Sequence, residues 1–228
     1  ALDAQGGWRF PDVLVPIESL TAESGPVLAT VEPIAPVALP SVPRRFKVQP
    51  LLTPDNYVGR VTDWLASARR SIYLQFSYIT YSDKPSDERF TQLLLRLAEL
   101  SYKPGLDMRI IVGNNGAADK IRRLAEAGFN EAVFRVQSNV HNKGIIVDGA
   151  SVLVSSANWS GDGVLRNRDA GLIVHDREVA GYFSRAFLED WESRARPTLA
   201  DDAPVLIAPE DGSTPSGMVR MSWRDYFS

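Results

Sequence analysis

The chain lacks cysteine and has only two histidines, His141 and His175, among its 228 residues. Disulfide bonds, thiolate metal sites and cysteine nucleophiles are therefore excluded, and zinc or haem sites rich in histidine are not expected. The chain also has no excess of positive charge, since 25 Lys and Arg residues stand against 28 Asp and Glu residues and give a net charge of -3. A global basic field that would draw the chain to nucleic acid is thus absent. No apolar run reaches the roughly 18 residues of a membrane span.

Proline is abundant at the start of the chain, where nine of the 15 prolines lie within the first 54 residues. Because proline blocks helices and removes backbone donors, we expect residues 1–45 to form an extended segment or an inter-domain connector. The apolar stretch from Val27 to Leu39 either packs on the domain or links it to a preceding one. The chain begins with Ala1, which favours a processed product or a piece of a longer protein. The compartment stays unknown, because a chain without cysteine suits oxidising and reducing environments alike.

Residues 46–196 alternate between strand and helix patterns, and 44% of the chain is hydrophobic, enough for a packed core. Thr53 and Pro54 carry the signature of a helix N-terminus, and Asp176 does so for the last helix. This alternation predicts an αβα layered sandwich with a mixed central sheet. We expect residues 197–228 to be an acidic C-terminal tail. The predicted strands cover 46–49, 71–76, 108–112, 132–136, 142–147, 152–155 and 170–174.

The most informative stretch is a predicted hairpin in which polar residues flank two apolar strands. His141 and Lys143 share one face of the first strand, and Ser156 and Asn158 share one face of the second, because side chains alternate along a strand. Asp148-Gly149 is a strong hairpin signal. A Gly149-Ala150 loop sets His141 opposite Asn158, whereas an Asp148-Gly149 loop sets His141 opposite Ser156. Either register brings the four polar side chains together and leaves Asp148 on the other face.

Such a cluster offers an imidazole, a fixed cation, a hydroxyl and an amide, a set that binds a tetrahedral oxyanion without a metal or cofactor. Histidine can attack phosphorus if an acceptor holds the proton of its other ring nitrogen. Asp169, at the start of the last predicted strand of the sheet, is our candidate for that acceptor. Taken singly, these residue types more often serve turns or solvated surfaces. Their joint appearance around one apolar hairpin favours phosphoryl chemistry.

The pattern His141-x-Lys143-x4-Asp148, followed by Ser156-x-Asn158, resembles the HKD motif of the phospholipase D superfamily. The resemblance extends from about Phe46 to Trp191, the length of one half-domain of that family. It implies that His141 is the nucleophile that forms a phosphohistidine. Lys143 and Asn158 would then hold the non-bridging phosphate oxygens.

The same resemblance implies further roles around these three residues. Ser156 supports the phosphate contacts, and Asp169 takes the place of the acidic partner of the nucleophile. Asp148 matches the motif aspartate, which the alternation of the strand makes structural. Trp159 either flanks the substrate pocket or packs beneath the hairpin.

Two departures from the family pattern stand out. Ser155 occupies a position where the family commonly has glycine. The family also builds one active site from two motifs, with the second histidine protonating the leaving group. This chain has one motif, because His175 is followed by Asp176-Arg177. The second motif therefore comes from a homodimer partner or from a half of the parent chain that this sequence lacks.

The sequence thus predicts a metal-independent phosphodiesterase that hydrolyses or transfers a phosphodiester through a covalent phosphohistidine. A phospholipid substrate is favoured because the acidic chain gains little from counterion release on DNA. Two alternatives remain open. One is a dimeric endonuclease of the same superfamily, and the other is a non-catalytic scaffold half-domain.

Overall fold

The computed structural model describes residues 12–16, 45–114, 116–197 and 206–222. The chain divides into two compact units, one of residues 35–198 and one that combines 1–34 with 199–228. The apolar stretch from Val27 to Leu39 lies outside the described residues.

The smaller unit contains a three-stranded antiparallel sheet. Its central strand, β1 (Val13–Pro16), pairs with β10 (Leu206–Ile207) on one side and with β11 (Met218–Met221) on the other. Residues from the segment expected to be a tail therefore form strands with residues from the proline-rich start of the chain.

The larger unit contains an eight-stranded mixed sheet. Its strands are β2 Lys47–Leu52, β3 Ser71–Phe76, β4 Asp107–Gly113, β5 Phe134–Gln137, β6 Lys143–Val147, β7 Ser151–Ser155, β8 Ala170–His175 and β9 Arg196–Pro197. Their order in the sheet is β2-β8-β7-β6-β3-β4-β5-β9. Strands β3, β4 and β5 run parallel, and every other neighbouring pair is antiparallel. Parallel neighbours need a crossover connection, and helices supply it here.

Helices cover both faces of this sheet, which confirms the predicted αβα sandwich. The helices are α1 Tyr57–Ala66, α2 Glu88–Ser101, α3 Ala117–Glu126, α4 Gly161–Leu165 and α5 Arg177–Ser193. The first four pack on one face and share a core with Leu74, Phe76 and Ile145. Helix α5 packs on the opposite face through Phe187 and Trp191.

The two predicted helix starts had different outcomes. Asp176 is the N-cap of α5, as predicted, and its carboxylate accepts hydrogen bonds from the backbone N–H groups of Glu178 and Val179. The prediction for Thr53 was wrong, because α1 begins at Tyr57 with Asn56 as its N-cap. The Thr53 side chain is fully buried and is used for a long-range contact instead.

One face of the large sheet is uncovered near its β2 edge. The register aligns Val154 of β7 with Leu172 of β8 and Leu172 with Pro50 of β2, so these side chains form a continuous row. Val48 and Leu52 extend the row along β2, and all five residues are exposed. We call Val48, Pro50, Leu52, Val154 and Leu172 the apolar sheet face.

Candidate active site

The first strand of the predicted hairpin presents His141 and Lys143 at its N-terminal end. β6 begins at Lys143, so His141 lies just outside the strand, where it is exposed. The Lys143 side chain is only 8% exposed. Its Nζ donates a hydrogen bond to the His141 carbonyl oxygen at 2.7 Å and lies 3.4 Å from His141 Nδ1. A cation is therefore fixed beside an accessible imidazole.

The hairpin loop differs from both predicted registers. Val147 pairs with Ser151, and Ala150 N–H donates to the Val147 carbonyl, so the loop has three residues, Asp148, Gly149 and Ala150. This register, continued past the last paired residues, sets Lys143 across from Ser155 rather than Ser156. Our expectation that strand alternation alone unites the four polar residues was wrong, since Ser156 and Asn158 lie beyond the end of β7.

Asp148 explains the length of the loop. It has a positive φ of 55°, and its carboxylate accepts hydrogen bonds from the backbone N–H groups of Arg69, Arg70 and Ser71 at 2.7–3.2 Å. Burial alone would raise the pKa of Asp148, but these N–H groups and the charge of Arg70 outweigh it and hold the pKa below its usual value. The structure thus places Asp148 at the end of β6 remote from His141, where it fastens the loop to the start of β3.

Ser156 and Asp169 form a second polar pair where β7 ends and β8 begins. Ser156 Oγ donates to Asp169 Oδ1 at 2.7 Å, and Ala170 N–H donates to Ser156 Oγ at 3.2 Å. Among the hydrogen bonds of the described residues, none joins Asp169 to His141. The role of Asp169 as the partner of the nucleophile therefore remains a prediction.

Thr53 positions this pair and gave no functional signal in the sequence. Its hydroxyl donates to the Asn167 carbonyl at 2.7 Å and accepts from Asp169 N–H at 2.8 Å. The Thr53 backbone N–H also donates to the Asp169 carbonyl at 3.0 Å. A threonine 116 residues away in the chain thus fixes the backbone that carries Asp169. Only the assembled fold brings the two together.

The structure buries Trp159, which favours a packing role over a place beside a pocket. The side chain is fully buried, and its ring lies 4.6 Å from Phe76 and 6.0 Å from Phe90 between centroids. Its Nε1 donates to the Tyr57 hydroxyl at 3.0 Å. Trp159 therefore anchors the chain directly after Asn158. The Asn158 residue itself is half-buried.

Tyr57 lies beneath the site and stays neutral. Burial raises its pKa to about 12, and the nearby charge of Asp169 adds to the effect. A phenol with this pKa is a hydrogen-bonding group and takes no part in acid–base exchange near neutral pH.

Ser155, the departure from the family pattern, is accommodated by its neighbour on β8. A Cβ added at Gly171 would lie 3.0 Å from Ser155 Cβ and 3.1 Å from its Oγ. The Ser155 hydroxyl is directed into the backbone, where it accepts from Ala157 N–H at 3.0 Å. Because Gly171 provides the room, the extra hydroxymethyl group fits between the two strands.

His175 is separate from this cluster, as predicted. It ends β8 and pairs in register with Lys47 on the edge strand. Burial lowers its pKa, and the charge of Lys47 lowers it further.

Comparisons with known proteins indicate the family of this chain. A family model described as cardiolipin synthase, PLD-like domain, matches residues 61–191. Phospholipase D of Rickettsia bellii is 26% identical over 154 residues, 66% of this chain and 70% of the relative. The mitochondrial cardiolipin hydrolase of Xenopus tropicalis is 31% identical over 148 residues, 63% of this chain and 65% of the relative.

A solved structure shows the same fold. Nuc of Salmonella typhimurium, a phospholipase D family member, aligns with a TM-score of 0.52 and 21% identity, over 67% of this chain and 97% of that one. The chain belongs to the phospholipase D superfamily. The family match spans the motif residues of the hairpin, from His141 to Asn158, and Asp169 after them.

Two further properties of this phospholipase D-like chain concern its described residues. They include no helix that is both long and apolar enough to cross a membrane. They also include no group of three or more His, Asp or Glu side chains placed to hold a metal ion.

Proposed function

We propose that this chain is half of a phosphodiesterase that cleaves phospholipid-type diesters through a covalent phosphohistidine at His141. The observation that carries the proposal is the buried Lys143 ammonium held beside the exposed His141 imidazole within a phospholipase D-like domain. The names of the relatives, phospholipase D and cardiolipin hydrolase, support a lipid phosphodiester as substrate.

In the proposed first step, a ring nitrogen of His141 attacks phosphorus as the bond to the leaving oxygen breaks. A proton reaches that oxygen from an acid on a second motif, and the phosphohistidine is then cleaved by water or an alcohol. Asp169 holds the proton of the other ring nitrogen, so that the attacking nitrogen keeps its lone pair.

Lys143 supplies the charge that this step needs. An ammonium has three donors, of which one is used by the His141 carbonyl and another lies near Nδ1. A phosphate bound over the imidazole would take that second donor and the third through its non-bridging oxygens. Asn158 adds an amide donor, and Ser156 keeps Asp169 in place. Fixed donors of this kind stabilise the charge of a phosphoryl transition state.

Replacement of the nucleophile tests the proposal. His141→Asn removes the attacking nitrogen while keeping a polar side chain of similar reach, so turnover should fall by about 10⁴-fold or more. The assay compares a phosphatidylcholine and a DNA substrate, both in EDTA, and traps the phosphoenzyme after rapid quenching. His175→Asn is the matched control, since it replaces the other histidine and should keep wild-type turnover.

Each outcome is decisive for one interpretation. Turnover of the lipid and a phosphoenzyme that is absent from His141→Asn support the proposal. Turnover of DNA alone favours an endonuclease, and no turnover of either substrate at a protein concentration where the chain is dimeric favours a scaffold. Wild-type activity in His141→Asn would exclude His141 as the nucleophile.

A further inference from the structure

A chain of side-chain hydrogen bonds connects helix α5 to the motif residue between His141 and Lys143. Asn142 Nδ2 donates to Gln75 Oε1 at 2.5 Å, and Gln75 Nε2 donates to Asp190 Oδ2 at 2.8 Å. The other oxygen of Asp190 accepts from Arg194 Nη1 at 3.0 Å. We call Asn142, Gln75 and Asp190 the relay.

Gln75 is an unusual residue for its position. It lies on β3, the strand between β4 and β6 near the middle of the sheet, and is only 8% exposed. A buried amide is costly unless both of its ends are hydrogen-bonded. Here the oxygen is bonded to Asn142, and the nitrogen is bonded to Asp190, with Gln137 Oε1 as a further acceptor at 3.3 Å. The surroundings therefore set a single orientation for Gln75.

The relay reaches the motif where the sheet itself stops. The last register pair of β3 and β6 joins Phe76 to Lys143, and Asn142 and His141 precede the strand. Their backbone is thus outside the ladder of sheet hydrogen bonds. Side chains alternate across a strand, so Asn142 points to the α5 face while Lys143 points to the opposite one. The hydrogen bond of the Asn142 side chain holds this backbone in place, as the backbone hydrogen bonds of the sheet hold β6.

We propose that the relay is a positioning device, which holds the backbone between His141 and Lys143 so that the imidazole and the ammonium keep their mutual geometry. This inference rests on the proposed function of His141. None of the three relay residues is assigned a contact with the reacting phosphorus. Their effect passes through the Asn142 backbone, and small displacements of a nucleophile have large effects on rate.

Interruption of the relay is the test. In Gln75→Leu and in Asn142→Ala, kcat should fall about 10- to 100-fold while KM changes by less than about twofold. The double variant should fall no further than the worse single one, because both substitutions break the same chain. Gln49→Leu is the matched control, since it makes the same change in β2, away from the relay.

A rescue variant separates positioning from simple loss of stability. Gln75→Glu alone sets a second carboxylate against Asp190 and should lower kcat. Adding Asp190→Asn restores a hydrogen bond between positions 75 and 190, because the amide at position 190 donates to the carboxylate at position 75. That carboxylate also accepts from Asn142. The combined variant should recover most of the lost kcat. If the single substitutions acted only by destabilising the protein, the combined variant would instead be less active than either.

The two histidines also give a readout that needs no activity. Their imidazole C2 protons give two NMR resonances, and His175 on β8 serves as an internal reference. Gln75→Leu and Asn142→Ala should shift the His141 resonance and leave that of His175 in place. If Gln75→Leu does not fold, the substitution of the exposed Asn142 carries the test alone.

The outcomes for the relay and for the proposed function are distinct. If both variants keep the wild-type kcat and the wild-type His141 resonance, the relay has no positioning role. If the His141 resonance shifts but the wild-type protein forms no phosphoenzyme, the proposed function is wrong and the relay stands.

Discussion

At the residue scale, Asp148 shows what the sequence could and could not predict. Strand alternation correctly separated it from the face that carries Lys143. Its partners, the backbone N–H groups of Arg69, Arg70 and Ser71, are 77–79 residues away in the chain. A contact of that separation is invisible in a local pattern, so the third loop residue and the resulting register were missed. For Trp159 the sequence left two positions open, beside a pocket or packed beneath the hairpin, because its partner Tyr57 is 102 residues away in the chain.

The contacts of Asp148 predict a pH-dependent contribution to stability. Its pKa is lowered in the folded protein, so the stabilisation is present above the unfolded pKa of about 3.9 and is lost as the pH falls through the folded pKa. Asp148→Asn should lower the free energy of unfolding at pH 7 by about 1–2 kcal/mol, a value that allows for partial solvent exposure.

Urea denaturation at pH 7 and at pH 3 measures this effect. The difference between wild type and Asp148→Asn should shrink at the lower pH, whereas the exposed control Asp83→Asn should change little at either pH. An equal difference at both pH values would contradict the electrostatic explanation.

At the scale of the elements, strands and helices were predictable wherever apolar spacing was regular. β3 was predicted with its observed bounds, and the start of α5 was predicted at Asp176. The start of α1 was predicted wrongly, because Thr53 and Pro54 are residue types typical of a helix N-terminus but lie in the turn before the helix. The tertiary contact with Asn167 and Asp169 uses the hydroxyl that would otherwise have capped the helix.

This contact predicts a link between one buried hydroxyl and the position of Asp169. Thr53→Val keeps the shape of the side chain but leaves the Asn167 carbonyl and the Asp169 N–H without their partner. The free energy of unfolding should fall by about 1–3 kcal/mol, as urea denaturation can measure. Turnover should fall as well, because Asp169 loses one of the two hydrogen bonds that hold its backbone to Thr53.

Thr62→Val is the matched control for this change. The Thr62 hydroxyl donates only to the Val58 carbonyl within the same helix, so its loss should have little effect on stability or turnover. Equal effects of the two variants would show that the contact of Thr53 has no special role.

At the scale of the whole molecule, the proposed chemistry needs more than this chain supplies. The sequence contains one His-x-Lys motif, and the second acid must come from another half. The apolar sheet face ends beside the Ser156 and Asp169 pair, since Val154 and Leu172 lie two or three residues from them in the chain. A second copy packed on this face would bury exposed apolar area, and a homodimer would supply a second motif.

We therefore expect activity to depend on association. Specific activity should rise with protein concentration in parallel with the dimer fraction measured by sedimentation. Leu172→Lys should weaken the dimer and lower specific activity at a given concentration, because a lysine at the centre of the face opposes its burial. Tyr102→Lys, at another exposed apolar position, should leave both unchanged. A protein that is active as a monomer would contradict this expectation.

The mixed sheet has a consequence for how such a protein diversifies. Phe76, the last residue of β3, pairs with Val112 near the end of β4 and with Lys143 at the start of β6. The connections that leave β3 and β4 therefore emerge at the same rim of the sheet as His141. Insertions there would change the surroundings of His141 and leave the hydrophobic core of the sheet as it is. We therefore expect chimaeras that exchange only these two connections to keep the fold and to differ in substrate selectivity.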